Sequence, residues 1–172
     1  MNEKLKEEIF KYTTQDYYIR ALALKFPKTK ELSSEVVYQD SLSKKFVKKV
    51  LADYGWPTIS MVGEQGSHNF WLLIQHMDKD LLLQKESLKL MKKAVKEQGA
   101  SQGDLAYLED RTLAAEDQEQ LYGTQFKVEK GKLKMLPTVD VSKLNERRKK
   151  VGLISIEEQK TRLEKEYKNL LY

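Results

Sequence analysis

Apolar and polar residues follow each other with a helical period along most of this chain. The pattern is densest from Trp56 to Gln84, which reads WPTISMVGEQGSHNFWLLIQHMDKDLLLQ and holds both tryptophans and both histidines. The spacing predicts a helix from Ser67, which can cap it after the Gly63–Gly66 loop, with no Pro or Gly before Gly99. At about 100° per residue, Phe70, Leu73, Ile74, Met77 and Leu81 share one face and belong to the core. The opposite face sets His68 and Gln75 among Trp71, Leu72, Leu82 and Leu83, so this helix is apolar nearly all round with a narrow polar seam. Buried polar groups need partners or a cavity, which makes this helix the place to look for a site.

The flanking pattern is also helical. Leu5, Ile9 and Tyr12, then Tyr18, Leu22 and Phe26, keep helical spacing as one long or two kinked helices, until Pro27 stops them. Asp16 and Arg20 stand four apart in the favourable order for an exposed pair. The polar stretch 28–40 reads as a loop, and Asp40 or Ser41 as the cap of a helix with Leu42, Phe46, Val50, Leu51 and Tyr54 inward and Gly55 at its end. Trp56-Pro57 reads as an extended linker. Further helices are predicted over 84–98, with Leu88, Met91 and Val95 inward, and from Ser101 or Asp104, with Leu105, Leu108 and Thr112 or Leu113 inward.

After Gln118 the period changes. Phe126 and Val128, then Leu133 and Met135, alternate with charges around Glu129-Lys130-Gly131-Lys132, which predicts a hairpin lying against helices by that apolar face. Pro137 ends it. Ser142 can cap a short basic helix, and Ser155-Ile156-Glu157-Glu158 is a capping box for a last helix with Ile156, Leu163, Tyr167 and Leu170 inward. The expectation is a mainly α single domain over 1–172, a bundle of about six helices with one hairpin near 122–136. It carries a basic segment at 127–150 and a C-terminal helix at 155–172.

Composition narrows the function classes. With 172 residues the chain can bury a sizeable core, and without cysteine it has no disulfide, thiolate metal site or cysteine nucleophile. The longest uncharged run, Gln65 to Met77, is too short and polar to span a bilayer, and Met1 is followed by NEKLKEE instead of an apolar signal core. A cytoplasmic protein without membrane contact is expected. The net charge of +5 is local: residues 127–150 carry nine Lys or Arg against three acids, which leaves the rest at −1. No aromatic residue interleaves the basic cluster beyond Phe126, so nucleic acid is not the expected partner, and a solvated face is the plainer reading. The oligomeric state is not legible.

The runs QDYYIR, GWPT, VGEQGS, WLLIQHMD, LAYLEDR, QLYGTQF and NERRKKVGL resemble a widespread bacterial family of uncharacterised domains, over about Asp16 to Leu153. Its marks are GWP, QHxD, LxDR and QxYGTQ. The resemblance implies importance for Asp16, Arg20, Asp40, Gln75, His76, Asp78, Gln84, Asp110, Arg111, Gln120, Tyr122 and Gln125, and it implies no reaction. His68 has no place in it.

His68 and His76 stand eight positions apart, about 12 Å of helical rise, too far for a helical metal pair, and no Glu-x-x-His pair exists, so neither metal nor cofactor is expected. His76 suits general acid–base chemistry, with a carboxylate such as Asp110 orienting its ring. Arg20 or Arg111 could clamp a carboxylate or phosphate, while Gln75, Gln120, Tyr122 and Gln125 would orient a ligand by neutral hydrogen bonds. Asp16, Asp40, Asp78 and Gln84 would support them. This predicts a hydrolase or lyase for a small anionic or amide-bearing molecule. Two other readings stay open: a buried polar network that fastens the hairpin to the bundle, and a non-catalytic, immunity-like binding protein that uses the basic 127–150 face.

Overall fold

In the computed structural model, which describes residues 1–171 and side chains through Glu166, the chain folds as two compact units, Met1–Ser101 and Gln102–Tyr172. The architecture is mainly α, with seven α-helices and one small antiparallel hairpin among the described residues, as the periodicity predicts.

Asn2 opens α1 (Glu3–Lys25) by accepting from the Leu5 N–H at 3.1 Å. The helix runs unbroken through Thr13 and Thr14, and the Thr13 hydroxyl donates back to the Ile9 carbonyl at 2.9 Å. Leu5 and Ile9 are buried and Tyr12 stacks on Phe46, ring centroids 4.2 Å apart. The inward stripe does not continue as expected. Tyr18 and Phe26 are exposed, and the buried residue at that level is Asp16, 3% exposed.

The loop expected over 28–40 is also corrected: α2 spans Lys30–Tyr54. No Gly or Pro interrupts this stretch, and its polar residues are satisfied within the helix. Gln39, buried, donates to the Ser43 hydroxyl at 3.3 Å, and the Ser41 hydroxyl donates to the Tyr38 carbonyl at 2.7 Å. Asp40 and Ser41 are therefore interior positions of a helix and not its cap. Gly55 ends it with a φ of 69°, which an L side chain rarely adopts.

The central helix α3 starts earlier and stops sooner than the pattern suggested, running Ile59–Gln75 with a kink at Gly63, where φ is 77°. Ser67 lies inside it, and its hydroxyl accepts from Trp56 Nε1 at 3.1 Å. Phe70, Leu73, Ile74 and Met77 are buried as expected, each side chain contributing about 1.5–3 kcal/mol relative to exposure. Leu81 is half-buried and Leu82 is 76% exposed, because the chain turns at His76–Asp80 before α4 (Leu81–Lys96). Asp80 caps α4 by accepting from the Leu83 N–H at 3.1 Å. Contacts of Asn2 with Met61, Thr13 with Asn69 and Asp16 with His76 align α1 and α3 in parallel.

The second unit begins with α5 (Gln102–Ala115) and continues into β1 (Phe126–Glu129) and β2 (Lys132–Met135). Phe126 faces Met135 and Val128 faces Leu133. Lys130 and Gly131 hold φ of 51° and 74°, the mirror-image turn that matches strand twist. Phe126, Leu133 and Met135 are half-buried while Val128 is 51% exposed, so the apolar face is covered over part of its length, with β2 packed on α7. A 3-10 turn (Val141–Lys143) leads into α6 (Leu144–Lys150) and then α7 (Ile156–Leu171). Ser142 sits within that turn, and Ser155 caps α7 by accepting from the Glu158 N–H at 3.2 Å. Tyr167 and Leu170, expected inward, lie outside the described side chains.

Candidate functional site

Four of the singled-out residues form a continuous chain of charge-assisted bonds within the first unit. His76, at the C-cap of α3, places Nδ1 2.6 Å from Asp16 Oδ2 on α1. The other Asp16 oxygen accepts from Arg20 Nε at 3.0 Å, one turn along the same helix, and Arg20 Nη2 donates onward to Asp40 Oδ1 on α2. The pairing is a consequence of the parallel α1–α3 contact, which sets the end of α3 beside the second half of α1. The carboxylate that meets the imidazole is thus Asp16, and Arg20 has two of its donors engaged by carboxylates.

Electrostatics divide the two acids. Burial pushes the Asp16 carboxyl up, but the hydrogen bond and charge of His76 and the Arg20 guanidinium outweigh it and hold the group below its ordinary range. Burial pushes Asp40 up, Arg20 pulls it down and the Asp16 charge pushes it up again, for a net rise. Asp16 is therefore the fixed anion of the group. A carboxylate on Nδ1 retains the proton there and leaves Nε2 as the basic atom. His76 Nε2 carries no bond among the described residues, and the side chain is 36% exposed.

Two clefts meet at His76 and Arg20. One, of about 710 Å³, runs along α1 and α3 between an apolar row, Phe10, Tyr17 and Leu24, and a polar row, Gln65, Asn69 and His76. The other, of about 370 Å³, is lined by charged residues including Asp40, Lys44, Asp78 and Lys79. Both volumes lie in or near the range of small-molecule sites.

The remaining expected residues of this unit surround the turn after α3. Gln75 is buried, and Gln84, fully buried, donates through Nε2 to the Ile74 carbonyl at 3.1 Å and to Asp78 Oδ1 at 3.4 Å. Gln84 thereby holds the His76–Asp80 turn in shape. His68 lies tilted against Trp71, ring centroids 5.0 Å apart. Thr13, Gln65 and Asn69 line the larger cleft and were not singled out from the sequence. Their signal was available, because Gln65, Asn69, Leu72 and His76 recur at helical spacing on one face of α3.

Asp110, Arg111, Gln120, Tyr122 and Gln125 belong to the second unit. Asp110, fully buried on α5, accepts from the N–H groups of Leu121, Tyr122 and Thr124 at 2.7, 3.1 and 3.0 Å and from the Thr124 hydroxyl at 3.0 Å. Burial pushes its carboxyl up against the pull of those donors. Both oxygens are occupied, so Asp110 anchors the 121–125 loop, and the carboxylate in contact with the His76 ring is Asp16. Gln120, also buried, donates to the Gln125 and Leu136 carbonyls and accepts from the Gln125 N–H, tying the loop to the hairpin. Tyr122 is half-buried and its hydroxyl is pushed up by burial and by the charges of Glu109 and Asp110. Arg111 is half-buried on α5. Arg148, not singled out from the sequence, is fully buried and donates to the Ile154 and Tyr122 carbonyls, both at 2.6 Å.

Among the described residues, no group of three or more His, Asp or Glu is arranged to hold a metal ion, and no helix is long and apolar enough to cross a membrane. Comparison with curated proteins and with solved structures gives no match. A family model described as "Family of unknown function (DUF6624)" matches residues 4–170 and so takes in both units; the chain belongs to that family.

Proposed function

We propose that the protein is an acid–base catalyst, a hydrolase or lyase in which His76 moves the proton and Asp16 holds the imidazole in its working tautomer. The observation that carries this reading is the 2.6 Å contact from His76 Nδ1 to the buried Asp16, with the ring open to two clefts. In hydrolysis, Nε2 takes a proton from water as the water oxygen adds to a carbonyl carbon. The imidazolium, facing ionised Asp16, then returns that proton to the leaving nitrogen as its bond to carbon breaks. Arg20 and Asp40 act behind Asp16 as positioning residues.

Of the two ligand chemistries, anionic and amide-bearing, the second fits better. The one fixed cation among the residues lining the larger cleft is Arg20, which is already bonded to Asp16 and Asp40. A binding role for the basic 127–150 face draws less support. Arg148 is buried, Arg147 donates to the Leu121, Val139 and Asp140 carbonyls, and Lys127 and Lys134 pair with Glu129.

The test is turnover of a panel of small blocked amides and esters by the wild type, His76→Gln and Asp16→Asn. The expected result is turnover that falls by about 10²–10⁴-fold in His76→Gln. Equal rates in the wild type and His76→Gln, or no turnover of any member by the wild type, would overturn the reading.

A further inference from the structure

The polar row of the larger cleft holds a recognition device distinct from the His76 dyad. Asn69 is 6% exposed at the cleft wall, and its Oδ1 accepts from Gln65 Nε2 at 2.8 Å, one turn away on α3. Its backbone carbonyl lies 3.3 Å from the Thr13 hydroxyl, which shares its one proton between this carbonyl and that of Ile9 and so places the position beside α1. Once the two carboxamides are paired, Asn69 Nδ2 and Gln65 Oε1 carry no further bond among the described residues. If both amides are turned over, the pair still shows one N–H and one oxygen to the cleft. That donor–acceptor edge is the complement of one residue of an extended peptide chain, whose N–H donates and whose C=O accepts on the same side.

Asn69 and His76 are seven positions apart, about 10 Å along the helix axis. A residue seated on the pair is therefore a handle, and the bond that His76 acts on lies further along the chain. In an extended chain rising about 3.3 Å per residue, that separation is about three residues. Across the cleft, Phe10, Tyr17 and Leu24 recur at every seventh position of α1 and are 40%, 75% and 64% exposed, an apolar row facing the polar one. The cleft has no uncommitted fixed charge to meet a charged ligand.

We infer that the cleft takes a short, uncharged, peptide-like chain, with the N–H and C=O of one residue on Gln65–Asn69, apolar side groups on the Phe10–Tyr17–Leu24 row and its reacting group at His76. The substrate class rests on the acid–base reading of His76, whereas the handle can be tested without it. N-acetyl-phenylalanine N-methylamide is titrated into ¹⁵N-labelled protein while the side-chain NH₂ signals of Asn69 and Gln65 are followed. Those signals are expected to move together. Gln65→Met, at an exposed position that leaves the core intact, is expected to weaken binding about tenfold, the worth of about one hydrogen bond.

The ester analogue O-acetyl-3-phenyllactic acid N-methylamide, in which an oxygen replaces the phenylalanine N–H, is expected to bind more weakly than the amide. The inference is overturned if the Asn69 and Gln65 signals stay still up to the probe's solubility, or if Gln65→Met binds as tightly as the wild type. Equal affinity for the ester, or tighter binding of adenosine, whose edge also pairs a donor with an acceptor, would likewise overturn it. Failure of the two readings separates cleanly. Turnover that needs His76 but ignores Gln65→Met removes the handle alone, and amide binding that survives without turnover removes the acid–base step alone.

Discussion

Asp16→Asn isolates the charge at the centre of the site with little change of shape. In the wild type the carboxylate makes two charge-assisted bonds, to His76 Nδ1 at 2.6 Å and to Arg20 Nε at 3.0 Å, at a position 3% exposed. A hydrogen bond to a charged group contributes about 1.5–3 kcal/mol and a neutral one about 0.5–1.5; asparagine keeps one acceptor oxygen, so one contact becomes neutral and the other is lost, at about 3 kcal/mol together. His76 and Arg20 stay partly in water, at 36% and 26% side-chain exposure, so neither is left as a fully buried orphan and the cost should not rise far above that. With a urea slope of about 2 kcal/mol per M, the midpoint falls by about 1.5 M.

The pH dependence carries the sign of the account. In the folded chain the Asp16 carboxyl is held below its ordinary value of 3.8, so its contribution is fully present above 3.8 and lost as pH falls through the lowered value. Urea unfolding at neutral pH and through the acid range should therefore show the difference between wild type and Asp16→Asn shrinking as the wild-type group takes up its proton. A difference below about 0.5 kcal/mol at neutral pH, the usual worth of an exposed ion pair, would refute the reasoning. So would a difference that grows on acidification.

Other consequences concern the second unit. Asp110→Ala leaves three N–H groups and a hydroxyl without their acceptor, at about 1–3 kcal/mol for each buried orphan, and should cost about 4 kcal/mol because the loop relaxes in part. Hydrogen exchange should quicken at Leu121, Tyr122 and Thr124 before it does in α1 or α3. Gly123 holds a φ of 64°, and a Cβ there would stand 2.8 Å from Met135 Sδ and 3.1 Å from Leu144 Cδ2. Gly123→Ala should cost about 2 kcal/mol or more from the left-handed backbone and the crowding together, read as a lowered melting temperature.

The helices were legible where Pro27, Gly55 and Gly99 punctuate the chain and where Phe70, Leu73 and Ile74 repeat with the helical period. The first half of α2 was not, because its inward positions include Gln39 and Ser43, which a hydropathy pattern scores as wet although they bond to each other in the interior. Asp16 misled in the same way. An acid four residues before an arginine reads as a surface pair, yet a third partner 60 positions away buries it.

The candidate site was legible as a set of residues and not as a grouping. Asp16, Arg20, Asp40 and His76 stood out through the family resemblance, but only tertiary packing decides which carboxylate meets the ring. Asp110 has the right chemistry for that part and was the natural expectation. Its oxygens instead satisfy backbone donors of a loop more than ten positions further on, a need that leaves no periodic trace.

The most direct measurement is the tautomer of His76, read from long-range ¹H–¹⁵N spectra of the neutral ring in a protein with only two histidines. The account predicts a proton on Nδ1, held by Asp16, and a bare Nε2 turned to the clefts, with the preference weakened in Asp16→Asn. A neutral ring protonated at Nε2 in the wild type would contradict it, since the atom assigned to take the proton would already carry one.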